Sequence, residues 1–264
     1  ARKIAAGAFL HLEQETLCSQ VHGATVDKAA VAEAQEGDPT IQDAVQNVLL
    51  ALTMHEEAFV ENAFSGSKSE EVLAMHKSSG IAITRQCFQC LKPMGKLNDE
   101  VINLYLELLK EREEREPLKS LKCHFFNTFF YVKLAEGPTY DYEGAKKWAK
   151  SCKLGYDVFD CDSIFVPIHK PNHWCLAIIN IKEKKIQYLD SLHGRDPDNY
   201  VLNVLARYIK DDGKDNCRED MGLSKWQREH VKNLPRQMND YDCGMFMLKY
   251  ADYLSRGIPI SFTQ

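Results

Sequence analysis

The chain has 264 residues, 44% of them hydrophobic, which is enough to bury a full core as one domain or as one domain with an appendage. A formal net charge of −5 and an isoelectric point of about 6.0 argue against a non-specific nucleic-acid binder. No apolar run approaches the ~20 residues of a membrane span, and the nine irregularly spaced cysteines favour free thiols in a reducing compartment.

The first part of the chain carries the weakest signals. An alanine-rich stretch at residues 24–34 and a turn signal at 36–40 precede helical periodicity over 41–63. Denser apolar patterning follows. We therefore predict an N-terminal extension over residues 1–55, helical or partly disordered, and a compact domain over residues 56–264.

Two serine- and glycine-rich loops flank residues 70–76, for which we predict a short helix. The following Cys87 and Cys90 have the spacing of half a zinc site. The chain offers no second C-x-x-C pair, so core cysteines are favoured over a metal site. We predict no metal and no cofactor.

The middle of the chain carries helix signals. Asn98 or Asp99 caps a predicted helix that has acidic residues in its first turn and runs to about Glu114. The dense aromatic block at residues 125–131 is typical of a buried core. A further short helix is predicted around residues 146–148.

Three later runs are predicted strands, at residues 163–168, 174–181 and 185–189. A short polar connection joins the last two, so we expect them to pair antiparallel. His173 lies at the start of the second strand and Asp190 at the end of the third. A hairpin of this length brings both side chains to the same end of the sheet.

The stretch Q-M-N-D-Y-D-C-G at residues 237–244 precedes apolar residues that recur at helical spacing. We predict a buried helix that begins near Cys243 and is capped by Asp240 or Asp242. A cysteine in a first helical turn faces unpaired N–H groups and the positive end of the helix dipole, which favour the thiolate. The dipole contributes only about 0.3–2 kcal/mol, so a catalytic thiol also needs a protonated histidine.

The roles that a nucleophilic Cys243 requires can be supplied from elsewhere in the chain. His173 is the candidate base, Asp190 its orienting group, and Gln237 a donor to the oxyanion through its side-chain NH₂. This is the set of roles found in papain, in a different chain order. Taken alone, D-C-G before an apolar helix is also compatible with a buried structural cysteine.

Six motifs in order make the chain similar to a known family. They are L-N-D-E-V-I-N at 97–103, F-N-T-F-F-Y at 126–131, D-S-I-F-V-P-I-H at 162–169, H-W at 173–174, Y-L-D-S-L at 188–192 and Q-x-x-x-x-D-C-G-M-F at 237–246. Over residues 59–262 the chain resembles the ubiquitin-like-specific cysteine proteases that act on SUMO, the Ulp/SENP family. The resemblance implies an α/β (α+β) papain-like cysteine protease fold, with a mixed sheet packed against the helix that carries the nucleophile.

The resemblance also implies a role for each catalytic candidate. Cys243 attacks the carbonyl of the C-terminal glycine of SUMO, and His173 acts first as base and then as acid. Asp190 orients the histidine, and Gln237 donates to the oxyanion. Members of the family both mature SUMO precursors and cleave SUMO from target lysines.

Substrate-binding residues follow from the same resemblance. Trp174 covers the Gly-Gly tail in a narrow tunnel, and Asp99 and Phe129 match positions that contact the body of SUMO. The chain departs from the family at position 96. The family has a tryptophan there, which forms the other wall of the tunnel, whereas this chain has Lys96. The family also continues well beyond the helix of Cys243, so we expect this domain to be short at its C-terminus.

These departures leave two alternatives to a SUMO protease. One is a SUMO-binding module with weak or no protease activity, and the other is a protease for a different ubiquitin-like modifier. For a SUMO protease the expected partners are SUMO precursors and SUMO-conjugated proteins, without nucleic acid and without a membrane span. We expect a monomer in a reducing nuclear or nucleocytoplasmic compartment.

Overall fold

The computed structural model covers most of the chain after residue 53. The described residues are 54–118, 120–137, 139–194, 196–216, 218, 222 and 225–264. They fall into two compact units, which divide between Pro93 and Met94. The predicted helical extension over residues 1–55 lies almost entirely outside the described residues.

The first unit contains a small antiparallel hairpin and short helices. Its elements are α1 (Met54–Ser65), β1 (Val72–His76), β2 (Ile81–Thr84), α2 (Arg85–Phe88) and a 3-10 turn (Gln89–Leu91). The predicted helix over residues 70–76 is wrong, because β1 pairs with β2. Gly80 adopts a left-handed conformation (φ +70°), which reverses the chain at no steric cost and brings the two strands together.

The second unit is built on a mixed five-stranded sheet. Its strands are β3 (Cys123–Phe125), β4 (Ser163–Lys170), β5 (His173–Asn180), β6 (Lys185–Leu189) and β7 (Gln227–His230), in that spatial order. The pairs β4–β5 and β5–β6 are antiparallel, whereas the outer strands β3 and β7 pair parallel to their neighbours. The predicted hairpin is confirmed.

Helices of the second unit surround this sheet. They are α3 (Asp99–Arg115), α4 (Thr128–Ala135), α5 (Tyr142–Ala145), α6 (Ser151–Leu154), α7 (Tyr200–Asp215) and α8 (Cys243–Ser255), with 3-10 turns at Lys146–Trp148, Val158–Asp160 and Pro197–Asn199. Among the helices described, none has both the length and the apolar character that crossing a membrane requires.

The sheet separates two layers of buried side chains. Cys175 and Ala177 of β5 belong to a core that includes Val201 and Leu205 of α7. Side chains alternate between the faces of a strand, so the intervening Leu176 points to the other face. The apolar helix α8 packs against β5 and also contacts α3. A mixed sheet packed on the cysteine-bearing helix is the α/β papain-like fold that the resemblance implies.

The start of α8 fits closely against the start of α3. A Cβ atom on Gly244 would lie 3.0 Å from Cβ of Leu97, closer than neighbouring side chains normally approach. Asn98 caps α3 by accepting a hydrogen bond from the Val101 amide at 3.0 Å, as predicted. The glycine after Cys243 therefore lets the capped end of α3 lie beside the nucleophile.

Candidate active site

His173 and Asp190 meet where the β5–β6 hairpin predicts. His173 Nε2 lies 2.8 Å from Asp190 Oδ1, which also accepts a hydrogen bond from the Leu192 amide at 2.9 Å. Asp190 is buried and His173 is half-buried. Because Nε2 is engaged by the carboxylate, Nδ1 is the ring nitrogen that remains for a reacting group.

The two members of this pair hold each other charged. Burial disfavours the imidazolium, but hydrogen bonds to Asp190, Cys175 and Cys243 outweigh it and raise the pKa of His173 to about 12. Burial also opposes ionisation of Asp190, yet the hydrogen bonds from His173 and the Leu192 amide lower the pKa of its carboxyl. The pair is therefore an imidazolium–carboxylate pair at neutral pH.

Cys243 occupies the first position of α8 and is buried. Burial by itself favours the neutral thiol, but the hydrogen bond with His173 and those from the Trp174 and Gly244 amides lower the pKa of Cys243. A thiolate paired with an imidazolium is the reactive form of a cysteine protease. The structure thus brings the predicted nucleophile and base together.

The predicted capping of α8 is only partly right. Asp242 is the N-cap residue, but its side chain makes no capping hydrogen bond. Its carboxylate instead accepts from Asn239 Nδ2 at 2.7 Å and from Gln264 Nε2 at 2.8 Å. The Asp242 carboxylate therefore stabilises the loop before the helix and holds Gln264. The amides of the first helical turn stay available to the sulfur of Cys243.

Gln237 lies on that same loop and is buried. Its Nε2 donates to the carbonyl of Asn239 at 2.7 Å, and its Oε1 accepts from the Ser191 hydroxyl. An amide nitrogen carries two hydrogens, so the second N–H is left without an acceptor among the described residues. Ser191 and Asn239 were not predicted from the sequence. The signal that could have found them is position: Ser191 follows Asp190, and Asn239 lies two residues after Gln237.

Trp174 is buried and fixed by its indole nitrogen, which donates to the carbonyl of Leu97 at 2.9 Å. Lys96, the neighbour of Leu97, is exposed, and its Nζ lies 3.3 Å from the carbonyl of Asn172. Asn172 immediately precedes His173. Lys96, where the sequence departs from the expected pattern, therefore lies beside the segment that carries His173 and Trp174.

The two predicted docking residues lie on neighbouring helices. Asp99 is the first residue of α3 and lies one helical turn before Asn103. Asn103 Nδ2 donates to the hydroxyl of Thr128 at 3.0 Å, and the Thr128 amide, at the start of α4, donates to Asn103 Oδ1 at 2.9 Å. Phe129 follows Thr128 and is 50% exposed, an unusual state for a large aromatic side chain. It lines an open cavity of about 620 Å³ together with Val132 and Trp148.

A second thiol, Cys175, also lies beside the base. Candidate metal-binding atoms of His173, Cys175 and Asp190 lie within 4.8 Å of one another, and in the described part of the chain this is the one group of three or more such side chains placed to hold an ion. Burial raises the pKa of Cys175, in contrast to Cys243. A neutral thiol is a poor ligand and a poor nucleophile, so this arrangement favours Cys243 as the reacting sulfur. The absence of a metal stays a prediction.

Comparison with known proteins finds a matching family model and similar sequences. The model of the Ulp1 protease family, C-terminal catalytic domain, matches residues 96–264. The chain is 53% identical over 215 residues to the Arabidopsis thaliana protein named ubiquitin-like-specific protease ESD4, covering 81% of this chain and 44% of that protein. It is 39% identical over 218 residues to human sentrin-specific protease 2, covering 82% of this chain and 35% of that protein.

A solved structure shares the fold. It is the C-terminal Ulp1 protease domain in complex with Smt3, the yeast ortholog of SUMO, with a TM-score of 0.67 and 27% identity over 80% of this chain and 88% of that one. The chain spans less than half the length of the two curated relatives.

Proposed function

Because this chain belongs to the Ulp1 protease family, we propose that it is a thiol protease that cleaves after the C-terminal Gly-Gly of SUMO, both in precursors and in conjugates with target lysines. The observation that carries the proposal is the pairing of Cys243 with His173, with the pKa of the thiol lowered and that of the imidazole raised to about 12. Asp190 and Gln237 complete the set of roles that acyl transfer requires.

The first half of the reaction is acylation. The thiolate of Cys243 attacks the carbonyl carbon of the terminal glycine. The carbonyl oxygen becomes an oxyanion, which accepts a hydrogen bond from the side-chain amide of Gln237. His173 Nδ1 donates its proton to the departing amine, which is a lysine side chain in a conjugate or a backbone amine in a precursor. A thioester between Cys243 and the modifier remains.

The second half is hydrolysis of that thioester. Neutral His173 takes a proton from water, and the resulting hydroxide attacks the same carbonyl carbon. The sulfur leaves as a thiolate, and the imidazolium forms again beside it. Asp190 stays ionised throughout and holds the imidazole with Nδ1 toward the sulfur.

We propose that substrate recognition uses two separate surfaces. Trp174 covers the Gly-Gly tail, and its fixed indole supports a narrow passage that excludes larger side chains. Asp99 and Phe129 contact the body of the modifier, where the exposed ring and the cavity beside it offer apolar area to a partner. The Asn103–Thr128 hydrogen bonds hold these two docking helices together.

The test is labelling by ubiquitin-like proteins that carry an electrophile at the C-terminus. We expect SUMO probes to form an adduct with the wild-type chain and none with Cys243→Ser. Peptide mapping should place the adduct on Cys243. Cys152→Ser is the matched control, because Cys152 is an exposed free thiol outside the site and its loss should leave labelling unchanged.

The alternatives predict different results from the same panel. A SUMO-binding module with a weak site is favoured by one observation, the exposed lysine at position 96 in place of tryptophan. It predicts SUMO binding with slow or no labelling of Cys243. A protease for another modifier predicts an adduct with a different probe, and labelling of Cys161 or Cys175 would contradict the assignment of the nucleophile.

We further propose that the protein works as a monomer in a reducing nuclear or nucleocytoplasmic compartment, on SUMO precursors and SUMO-conjugated proteins. Each cysteine in the described part of the chain is a free thiol, which supports the reducing environment that a thiolate nucleophile requires. Fluorescence imaging of the tagged full-length protein and light scattering of the purified chain test these two points.

A further inference from the structure

The side-chain amide of Gln237 is held at both ends, and Ser191 contacts both this amide and the Gln237 backbone. The Ser191 hydroxyl donates to Oε1, and the Ser191 carbonyl accepts from the Gln237 backbone amide at 3.2 Å. Both residues are buried, with Ser191 at 2% exposure and Gln237 at 5%. Water therefore cannot easily replace the hydroxyl as the partner of Oε1.

The orientation of this amide decides whether it helps or hinders the reaction. A carbonyl oxygen can only accept, so the group 2.7 Å from the Asn239 carbonyl must be the NH₂ end of the amide. Oε1 then faces Ser191, whose hydroxyl must be the donor. The second N–H of the amide has no acceptor among the described residues.

The loop that supplies the Asn239 carbonyl is itself well braced. Asn239 Oδ1 accepts from the amides of Tyr241 and Asp242 at 3.1 and 3.0 Å, and Asn239 Nδ2 donates to the Asp242 carboxylate. This support comes from within the loop that leads to Cys243. The contact with Oε1 comes from another segment of the chain, from the residue after Asp190.

We propose that Ser191 is a positioning residue for the oxyanion donor: it holds the Gln237 amide with its free N–H toward the reacting carbonyl. The inference rests on the proposed function. Without the hydroxyl, Oε1 is a buried acceptor with no donor, and the amide can rotate so that an oxygen faces the developing negative charge. The dipeptide Asp190-Ser191 thus serves both the base and the oxyanion donor.

Ser191→Ala tests the proposal through turnover of a SUMO fusion substrate. We expect kcat to fall about tenfold, less than the 10²–10³-fold loss that follows removal of an oxyanion donor. KM should stay within about twofold, because the docking surfaces are untouched. Ser191→Thr keeps the hydroxyl and should retain kcat within about threefold.

A second measurement separates this role from an effect on the base. Alkylation of Cys243 by iodoacetamide requires the thiolate but no oxyanion donor, so its rate should be unchanged in Ser191→Ala. In a Gln237→Ala background, Ser191→Ala should lower kcat by less than about twofold, because the group it positions is gone. Ser255→Ala, which removes another buried hydroxyl, is the matched control and should leave kcat unchanged.

Three results would overturn the inference: unchanged kcat in Ser191→Ala, a slower alkylation rate in that variant, or a full tenfold loss in the Gln237→Ala background. Melting temperatures of all variants show whether the fold is retained, and Ser191→Thr decides the matter if Ser191→Ala does not fold. Failure of the wild-type chain to cleave any modifier would overturn the proposed function as well, so the two failures are distinct.

Discussion

A methyl group at position 194 should disable the active site without touching the nucleophile or the substrate. An ideal Cβ on Gly194 would lie 2.6 Å from Oδ2 of Asp190, whereas ordinary contact begins at 3.4 Å. The carboxylate cannot rotate away freely, because its Oδ1 is bonded to His173 Nε2 at 2.8 Å and to the Leu192 amide at 2.9 Å. Relief of the clash therefore requires the carboxylate or the loop to move by about 0.8 Å.

The effect on catalysis follows from that displacement. A shift of about 0.8 Å along the hydrogen bond would take the His173–Asp190 distance to about 3.6 Å, outside hydrogen-bonding range. Misplacement of a catalytic group by about 1 Å costs roughly 10²-fold in rate, which is about 2.7 kcal/mol of transition-state stabilisation. We expect Gly194→Ala to lower kcat by about this factor with little change in KM.

The assay is steady-state cleavage of a SUMO fusion by wild type, Gly194→Ala and a control. Gly137→Ala is the matched control, because a Cβ there meets its nearest neighbour at 3.7 Å, an ordinary contact. Its kcat should equal that of wild type. The reasoning is refuted if Gly194→Ala keeps kcat within about threefold of wild type, or if it still costs the full factor in an Asp190→Ala background, where no carboxylate remains to be displaced.

Three other predictions test the charges and the substrate passage. Asp190→Asn should lower kcat less than Asp190→Ala, because an amide oxygen still accepts a hydrogen bond from His173, although without a negative charge it cannot stabilise the imidazolium. Equal kcat values in the two variants would contradict an orienting role. Lys96→Trp should raise kcat/KM about tenfold, roughly 1.4 kcal/mol. The reason is that a second indole opposite Trp174 holds the Gly-Gly tail in its reactive geometry. An unchanged rate in a folded variant would place Lys96 outside the passage. The pKa of Cys243 is lowered and that of His173 is raised to about 12, so the ion pair forms as pH rises through the depressed thiol pKa and is lost below it. Alkylation of Cys243 by iodoacetamide should therefore reach its maximal rate at a lower pH than alkylation of an ordinary thiol. His173→Ala should move the rise in rate to higher pH.

The local sequence pattern was sufficient to predict secondary structure where the stabilising contacts lie within one short segment. The helix after Asn98 and the hairpin between β5 and β6 were predicted because a cap, a short polar connection and a regular apolar period act within a few residues. The same kind of signal failed at residues 70–76, where pairing with β2 across the turn at Gly80 overrides a helical interpretation. The parallel strands β3 and β7 were also missed, since parallel partners are distant in sequence and leave no turn signal between them.

The sequence by itself was enough to predict a residue for each catalytic role, because the chemistry of acyl transfer restricts each role to a few residue types. A thiol, an imidazole, a carboxylate and an amide donor could be chosen from Cys243, His173, Asp190 and Gln237 before any distance was known. The tertiary structure decided what each group can do. It distinguishes two thiols beside one histidine. At Cys243 the hydrogen bonds with His173 and with backbone amides outweigh burial and lower the pKa, whereas at Cys175 burial dominates and raises it. Such differences depend on desolvation and on donors from remote segments, which spacing along a chain does not encode.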